Sequence, residues 1–334
     1  MNFKTILSKF LPFVGLIFVI IISVIAILIQ DSSGEDLSSF LSFDNVKTIL
    51  IQTVVVGVAA LGMTLVIISA GIDLSVGSQV ALATVVFAFV INGGDVSPDG
   101  VSHVSGAMVA LAILGALAAC GFCGFINGFL SSKFKIVPFI VTLGTMQIFR
   151  GVAKWIAGGE AVRTPSNAAQ SFMDYDGPLG IGLGFYILIL SIIVIGVMLK
   201  YTVLGRYMYA IGSSENTARL CGINVERRKI GIYVLCGLLT GLAGVLQYSF
   251  LGSGNPTIGV GLELNIIAAV VIGGGSLSGG EGSAIGTFIG ALIMAILGST
   301  CTMLGAETYV QEIIIGSIVI IAVGIDRLKH LKTA

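Results

Sequence analysis

Asp73 lies in the stretch GIDLSVGS, Gly71 to Ser78, with an apolar run on either side. A carboxylate at hydrocarbon depth costs about 2.5–3.5 kcal/mol on insertion scales. Keeping one there requires hydrogen bonds from the exposed amides of a broken helix, a wet path, or both. The neighbours supply the means: Gly71 and Gly77 free the backbone to break, and the hydroxyls of Ser75 and Ser78 can donate to the carboxylate without adding charge. This is chemistry of acceptance and clamping. Asn127, between Gly124 and Gly128, is a second group that must find a partner or a wet pathway if it lies deep. Catalytic chemistry has no comparable footing. No GxxxxGK[ST] phosphate loop, GxGxxG after a strand, HExxH or nucleophile elbow occurs. The two histidines, His103 and His330, fall in a polar outer loop and in the tail. Cys120 and Cys123 spell CxxC inside the apolar run ALAACGFCGFING, where thiols serve as small packing residues. The expectation is a chain with no catalytic residues, no metal site and no cofactor, one that does not hydrolyse nucleotide itself.

A second concentration of polar residues runs from Arg206 to Lys229 and contains Arg206, Glu215, Arg219, Glu226, Arg227, Arg228 and Lys229. Ser213 or Ser214 can cap a short helix there. Glu215 falls in its first turn, where the helix dipole favours an anion, and Glu215 with Arg219 forms an i,i+4 pair in the favourable order. Gly222 stops it. A helix of about eight residues is not stable alone in water, so it must be held by the spans on either side or by something docked on it. Either a solvated loop or a docking element for a partner protein fits this composition.

Around these two stretches the chain is oily. Charged residues make up 10% of its 334 residues, Gly reaches 46, and the mean hydropathy is +1.06. The 17 basic and 17 acidic residues cancel, so no bulk charge points to nucleic acid. Apolar runs predict an all-α polytopic membrane protein of about ten spans. They are Phe10 to Ile29, Val46 to Ser69, Ser75 to Ile91, Val104 to Leu130, Ile136 to Ala157, Leu179 to Leu199, Ile230 to Leu251, Leu262 to Gly275, Ser283 to Leu304 and Tyr309 to Ile325. The first is read as an uncleaved span, long for a signal-peptide core. Lys4, Lys9, Lys133, Lys135, the Arg206 to Lys229 stretch, Arg327, Lys329 and Lys332 then share one side, which the positive-inside rule makes cytoplasmic, with both termini. Asp31, Glu35, Asp36, Asp95, Asp99, Glu160, Asp174 and Asp176 fall on the other side. Arg150 and Lys154 dissent, and are read as snorkelling outward or facing a wet cavity.

Gly71 to Gly77 also lines up with Gly274 to Gly280: Asp73 answers to Ser276, Leu74 to Leu277, Ser75 to Ser278. Each copy is a break between an apolar run and a small-residue helix, and the span count puts both in the same orientation. Broken helices at equivalent places in two halves, here roughly 1–178 and 179–334 of a single membrane domain, point to a substrate path. Small residues four apart at Gly124 and Gly128, at Gly237 and Gly241, and at Gly282, Gly286 and Gly290 predict close helix packing.

Four ordered motifs now carry a resemblance. They are GIDLSVGS at Gly71 to Ser78, VPFIVTLGTM at Val137 to Met146, AIGSSENTARLCGINV at Ala210 to Val225, and ELNIIAAVVIGGGSLSGGEGSAIGTFIGA at Glu263 to Ala291. Together they resemble the integral-membrane permeases of bacterial ABC importers for monosaccharides, of the ribose, xylose and galactose type, over nearly the whole chain. The resemblance implies a multi-pass protein of the bacterial inner membrane. Its implied partners are membrane lipid, a second permease subunit (homodimer or paralogue), a cytoplasmic ABC ATPase and a periplasmic or lipid-tethered sugar-binding protein. It further implies that the segment within 205–229 is a coupling helix for the ATPase, carried by Ser213, Ser214, Glu215, Asn216, Arg219 and Gly222. The expected translocation path and gate comprise Gly71, Asp73, Ser75, Gly77, Asn127, Ser276 and Ser278. At Asn265 and Glu281 the chain departs from the family pattern, and no charge-based role is carried to either. Three rival readings are a branched-chain amino acid ABC permease, which would need a site for zwitterion charges, an ion-coupled secondary transporter, for which Asp73 is the good candidate carboxylate, and an intramembrane enzyme, which would need a catalytic pair that the sequence does not show.

Overall fold

The computed structural model describes residues 3–30, 35–93, 104–164, 177 and 181–331. The placements expected for Asp31, Asp95, Asp99, His103, Asp174, Asp176 and Lys332 concern residues outside these. So do the side-chain placements of Lys4, Lys9, Glu35, Asp36, Arg327, Lys329 and His330.

The described chain is helical apart from two short paired strands. Helices α1 (Phe3–Gln30), α2 (Glu35–Phe40), α3 (Phe43–Ile68), α4 (Val76–Ile91), α5 (Gly106–Lys133) and α6 (Pro138–Ile156) precede strand β1 (Val162–Arg163). Then come α7 (Leu183–Tyr201), α8 (Val203–Ser213), α9 (Glu215–Leu220) and α10 (Val225–Leu251), strand β2 (Ser253–Gly254), α11 (Leu262–Ile272), α12 (Ala284–Met303) and α13 (Thr308–Leu331). Among the described residues, α1, α3, α5, α7, α10 and α12 are long and apolar enough to cross a membrane. Helices α4 and α11 and the stretch Thr308–Ile321 are shorter apolar segments. The apolar runs of the sequence therefore all become helices, but only part of them reach full spanning length.

α3 is the central element. Most of its second half is buried, with Leu61, Leu65, Ile67 and Ile68 fully enclosed. That explains an apolar sequence without a polar face: a helix surrounded on all sides has no stripe to expose. By contrast α7 turns Leu190, Ile193, Val194 and Val197 outward, and α5 exposes Phe122, Phe125 and Phe129 in a row. Such surfaces match a hydrocarbon surround.

The small residues set how closely the helices approach. A side chain on Gly124 would drive into the Tyr233 carbonyl oxygen, and one on Gly237 into that of Cys120, so α5 and α10 interlock by their backbones in antiparallel fashion. Gly286 and Gly290 meet the Gly273 and Ala269 carbonyls, which packs α12 antiparallel on α11. Ser299 Oγ donates to Asn45 Oδ1 at 2.9 Å, while the Thr64 and Thr287 hydroxyls meet at 2.6 Å, so α3 is antiparallel to α12 as well. α3 and α11 therefore run in the same direction, and each ends in a break from which the next helix turns back. Gly282 belongs to the second break, at φ +151, and not to a helix face.

Candidate functional site

The first break occupies residues 69–75, between α3 and α4. Its left-handed residue is Ala70, at φ +58, and not a glycine. Gly71 and Gly77 serve the site through close approach: a Cβ on Gly71 would lie 2.8 Å from Tyr233 Oη, and one on Gly77 would strike the Gly259 carbonyl. The reading in which these two glycines free the backbone is corrected accordingly. They are small because another chain segment passes against them.

Asp73 is fully buried within this break. Its Oδ1 accepts from the Ser75 amide at 2.9 Å and the Ser75 hydroxyl at 2.6 Å. Asn127 of α5 spans both carboxylate oxygens, at 3.2 and 3.1 Å, and Gln79 of α4 approaches Oδ2 at 3.4 Å. The Ser75 hydroxyl in turn accepts from Asn127 at 2.8 Å and from Gln79 at 2.8 Å. Thr145 of α6 donates to Asn127 Oδ1 at 2.7 Å, which fixes the amide with its NH2 toward the acid. None of these donors carries charge. Four elements, α4, α5, α6 and the break, are thus tied through one carboxylate, while Tyr233 of α10 donates to the Ile72 carbonyl at 3.2 Å. Ser78 is a correction: its hydroxyl donates to the Ser75 carbonyl at 2.7 Å and not to Asp73. Gln79 and Thr145 escaped the sequence reading. Gln79 was recoverable, since it lies one helical turn after Ser75; Thr145 has a partner 18 residues away and left no local signal.

The second break, residues 273–283, repeats the local turn without the acid. Ser276 Oγ accepts from the Ser278 amide at 3.2 Å, as Asp73 Oδ1 does from Ser75. Ser276 is buried and Ser278 exposed, and the donors on Asp73 are Ser75, Gln79 and Asn127, with neither serine of the second break among them. The expected grouping of Ser276 and Ser278 with the path residues around Asp73 is therefore not what the structure brings together. The two breaks do touch: the Gly280 amide donates to the Ile68 carbonyl at 2.9 Å. Gly212, near the end of α8, packs on both, and Tyr209 of α8 donates to the Gly282 carbonyl at 2.8 Å.

The charged turn follows at once. α9 is six residues long, shorter than the sequence suggests, and Ser214, not Ser213, caps it by accepting from the Thr217 amide at 3.3 Å. Ser213 closes α8. Gly222 sits at φ +81, and the Ile223 amide reaches back to the Ala218 carbonyl, so the glycine stop is real. Glu215 holds Arg219 at 2.8 Å and Lys229 at 2.6 Å. Burial pushes the Glu215 carboxyl up, but the hydrogen bonds and charges of Lys229 and Arg219 outweigh it and hold the group below the usual carboxylate range. Ala218, Val225 and Ile211 form a small apolar cluster beneath the turn, whereas Asn216, Arg219 and Leu220 face outward, Leu220 at 88% exposure. A cavity of about 560 Å³ separates this turn from the first break, with Gly71 and Tyr233 on one wall and Glu215, Arg219 and Glu226 on another.

At the opposite side of Gly77 the chain between β2 and α11 runs without helical structure. Arg150 points at this segment, donating to the Pro256 carbonyl at 3.1 Å and to that of Ile258. It is not snorkelling; it satisfies irregular backbone, which is tolerated at membrane depth only where protein or a wet cavity surrounds it. Arg150, Lys154, Thr257, Val260 and Glu263 line a cavity of about 250 Å³, and Ile258, Val260 and Asn265 a second of about 240 Å³. Cys120 is buried with its thiol toward the Gln79 carbonyl at 3.3 Å, as a packing residue.

The family described as branched-chain amino acid transport system / permease component matches residues 45–323. The ribose import permease protein RbsC of Escherichia coli is 40% identical over 312 residues, covering 92% of this chain and 94% of that protein. RbsC of Bacillus subtilis is 40% identical over 330 residues, covering 98% and 95%. The L-arabinose ABC transporter permease protein AraH of Azospirillum brasilense is 34% identical over 293 residues, covering 87% and 82%. No solved structure matches the chain. With six helices among the described residues long and apolar enough to cross a membrane, two glycine-rich breaks and a family match that takes in both, the chain belongs to the permease component family of ABC importers.

Proposed function

We propose that this chain is the membrane-spanning permease subunit of an ATP-driven importer that carries a simple sugar, delivered by a binding protein, into the bacterial cytoplasm. The observation that carries the reading is 40% identity to ribose import permeases across 92–98% of the chain. Although the family model is described by branched-chain amino acids, relatives at 34–40% identity include permeases named for ribose, arabinose and fructose.

Helix directions support about ten traverses with both termini on the side of α9. α1 runs with α12, since Pro12 lies near Gly274 and Thr300 donates to Ser23. The non-helical segment before α11 completes that half-length helix into one traverse. On this reading the Asp73 network clamps the first break as part of a gate, and the extended segment held by Arg150 flanks the path. The turn of Ser213, Ser214, Glu215, Asn216, Arg219 and Gly222 seats in an ATPase groove, with Leu220 as its apolar contact. Reconstitution with a cognate ATPase and sugar-binding protein tests the whole: labelled sugar should enter vesicles only with ATP and both partners. Sugar counterflow by the permease alone would make it a secondary transporter.

A further inference from the structure

Between β2 and α11 the chain changes depth without a helix. Gly254 packs on Thr84 and Ala88 of α4, and Gly259 packs on Gly77 near the start of that helix. At 1.5 Å of rise per residue the segment descends about 10 Å along α4, down to the break that holds Asp73. This chain does not enclose its deep end: Val260 is 80% exposed, and Thr257 is exposed as well. Irregular backbone at such depth is tolerated only inside protein or along a wet cavity. The helices around it add an independent observation. Thr145 of α6 donates to Asn127 beside Asp73, so Gln147, just after Thr145, lies at the same depth, yet its side chain is exposed. Gln247 of α10 and Asn265 of α11 stand half-buried on the other side of the segment. Among the described residues these three carboxamides make no side-chain hydrogen bond. In hydrocarbon each would be left without a partner. Val260 lines both of the smaller cavities, with Gln147 in one and Gln247 and Asn265 in the other. Arg150 is taken up by the Pro256 and Ile258 carbonyls and Glu263 by the Gly261 amide. Lys154 belongs to the last turn of α6, further out. The groups left free around Val260 are therefore uncharged.

We propose that the surface around Val260 is a sugar-contact site on the translocation path, where Gln147, Gln247 and Asn265 hydrogen-bond the hydroxyls of an uncharged monosaccharide. A carboxamide both donates and accepts, as neighbouring hydroxyls do, and Val260 offers apolar surface to the C–H face of the ring. The two cavities, at about 250 and 240 Å³, each fall short of the roughly 300 Å³ at which small-molecule sites begin. That suits a station that holds its cargo weakly and lets it go. Glu263 lies against Gly77, which sets the site directly beside the start of α4 and the break that Asp73 braces. Calling it part of a path rests on the permease reading above; the wetness of the surface and its affinity for sugar do not.

Two measurements on the full chain in nanodiscs, without ATPase or binding protein, test this. Cys221→Ser removes the exposed thiol and leaves four buried ones. In that background Val260→Cys and Gln147→Cys should react with a charged thiosulfonate at least tenfold faster than Ile193→Cys, which α7 turns toward hydrocarbon. The Cys221→Ser chain is then titrated with D-ribose, L-arabinose and D-fructose by saturation-transfer NMR. At least one sugar should give a saturable signal in the millimolar range. Gln147→Ala and Asn265→Ala should each weaken it several-fold, and Phe125→Ala, on the outward row of α5, should leave it unchanged. Val260→Cys no more reactive than Ile193→Cys would mean that lipid or a sealed contact covers the surface, and overturns the site. A signal absent for all three sugars, or indifferent to Gln147→Ala and Asn265→Ala, overturns it too. Sugar uptake by the reconstituted complex alongside such a result leaves the permease reading standing and removes only this site. Failed uptake with labelling and sugar signal as expected does the reverse.

Discussion

Asp73 shows how a buried acid is kept without a counter-ion. Ser75, Asn127 and Gln79 donate to it, and Thr145 orients the Asn127 amide. Removing the carboxylate strands several donors at once, each worth about 1–3 kcal/mol when left unpaired in a buried site. Asp73→Ala should insert but lower binding-protein-dependent uptake at least tenfold at matched membrane levels. Asp73→Asn should keep partial activity, because its carbonyl still accepts. Uptake equal to wild type in Asp73→Ala would reduce the network to a turn between packed helices. Glu215 makes a different prediction, because its folded pKa is depressed. Its contribution is present above the unfolded value, at neutral pH, and is lost as pH falls through the folded value. The protection of α9 amides relative to their intrinsic exchange rates should therefore fall in acid below the usual carboxylate range, and Glu215→Gln should flatten that dependence. Unchanged protection of α9 across that range would rule out Glu215 as its anchor.

Between helices, glycine governs distance. Gly124 and Gly237 each face the partner backbone across the α5–α10 contact, so any side chain must force the pair apart. Gly124→Leu should cost about 1–3 kcal/mol from overpacking and, because Asn127 rides on the same helix, should also disturb the Asp73 network. The check is a lowered thermal midpoint in detergent, and a midpoint equal to wild type would mean the contact yields freely. Gly222 is a separate case: nothing crowds it, yet its φ of +81 puts a β-branched residue in a region costing about 1–2 kcal/mol. If the turn seats in an ATPase as proposed, Gly222→Val should remain in the membrane but bind that ATPase more weakly and lose uptake. Co-purification of a normal complex with normal uptake would return the turn to a solvated loop.

The assembled bundle offers its own topology probe. All five cysteines are free, four are buried, and Cys221 is exposed beside α9. In wild-type protein, an impermeant maleimide should label Cys221 in inside-out vesicles and leave right-side-out vesicles blank. Glu160→Cys, in a chain carrying Cys221→Ser, should show the reverse, since Glu160 leads into β1, which pairs with β2 at the far end of α10. Labelling of both positions from one face would break the scheme of about ten traverses.

Length of apolar run, scarcity of charge and the spacing of small residues were enough to read the helices, their close packing and both breaks from the sequence, because each depends on neighbours within a few positions. The same holds for the Ser214 cap, the Glu215–Arg219 pair and the Gly222 stop. Partners distant in the chain were not readable. Thr145 and Gln79 join Asp73 only once α4, α5 and α6 are packed, and Ser276, alike in local turn to Asp73, is separated from it by where α11 delivers it. Arg150 looked misplaced by its charge because the carbonyls it serves lie 106 and 108 residues away. Local hydrogen bonding and hydropathy are written in order along the chain; which buried donor meets which acceptor is decided by helix packing, where a glycine on one helix sets the distance for residues on another.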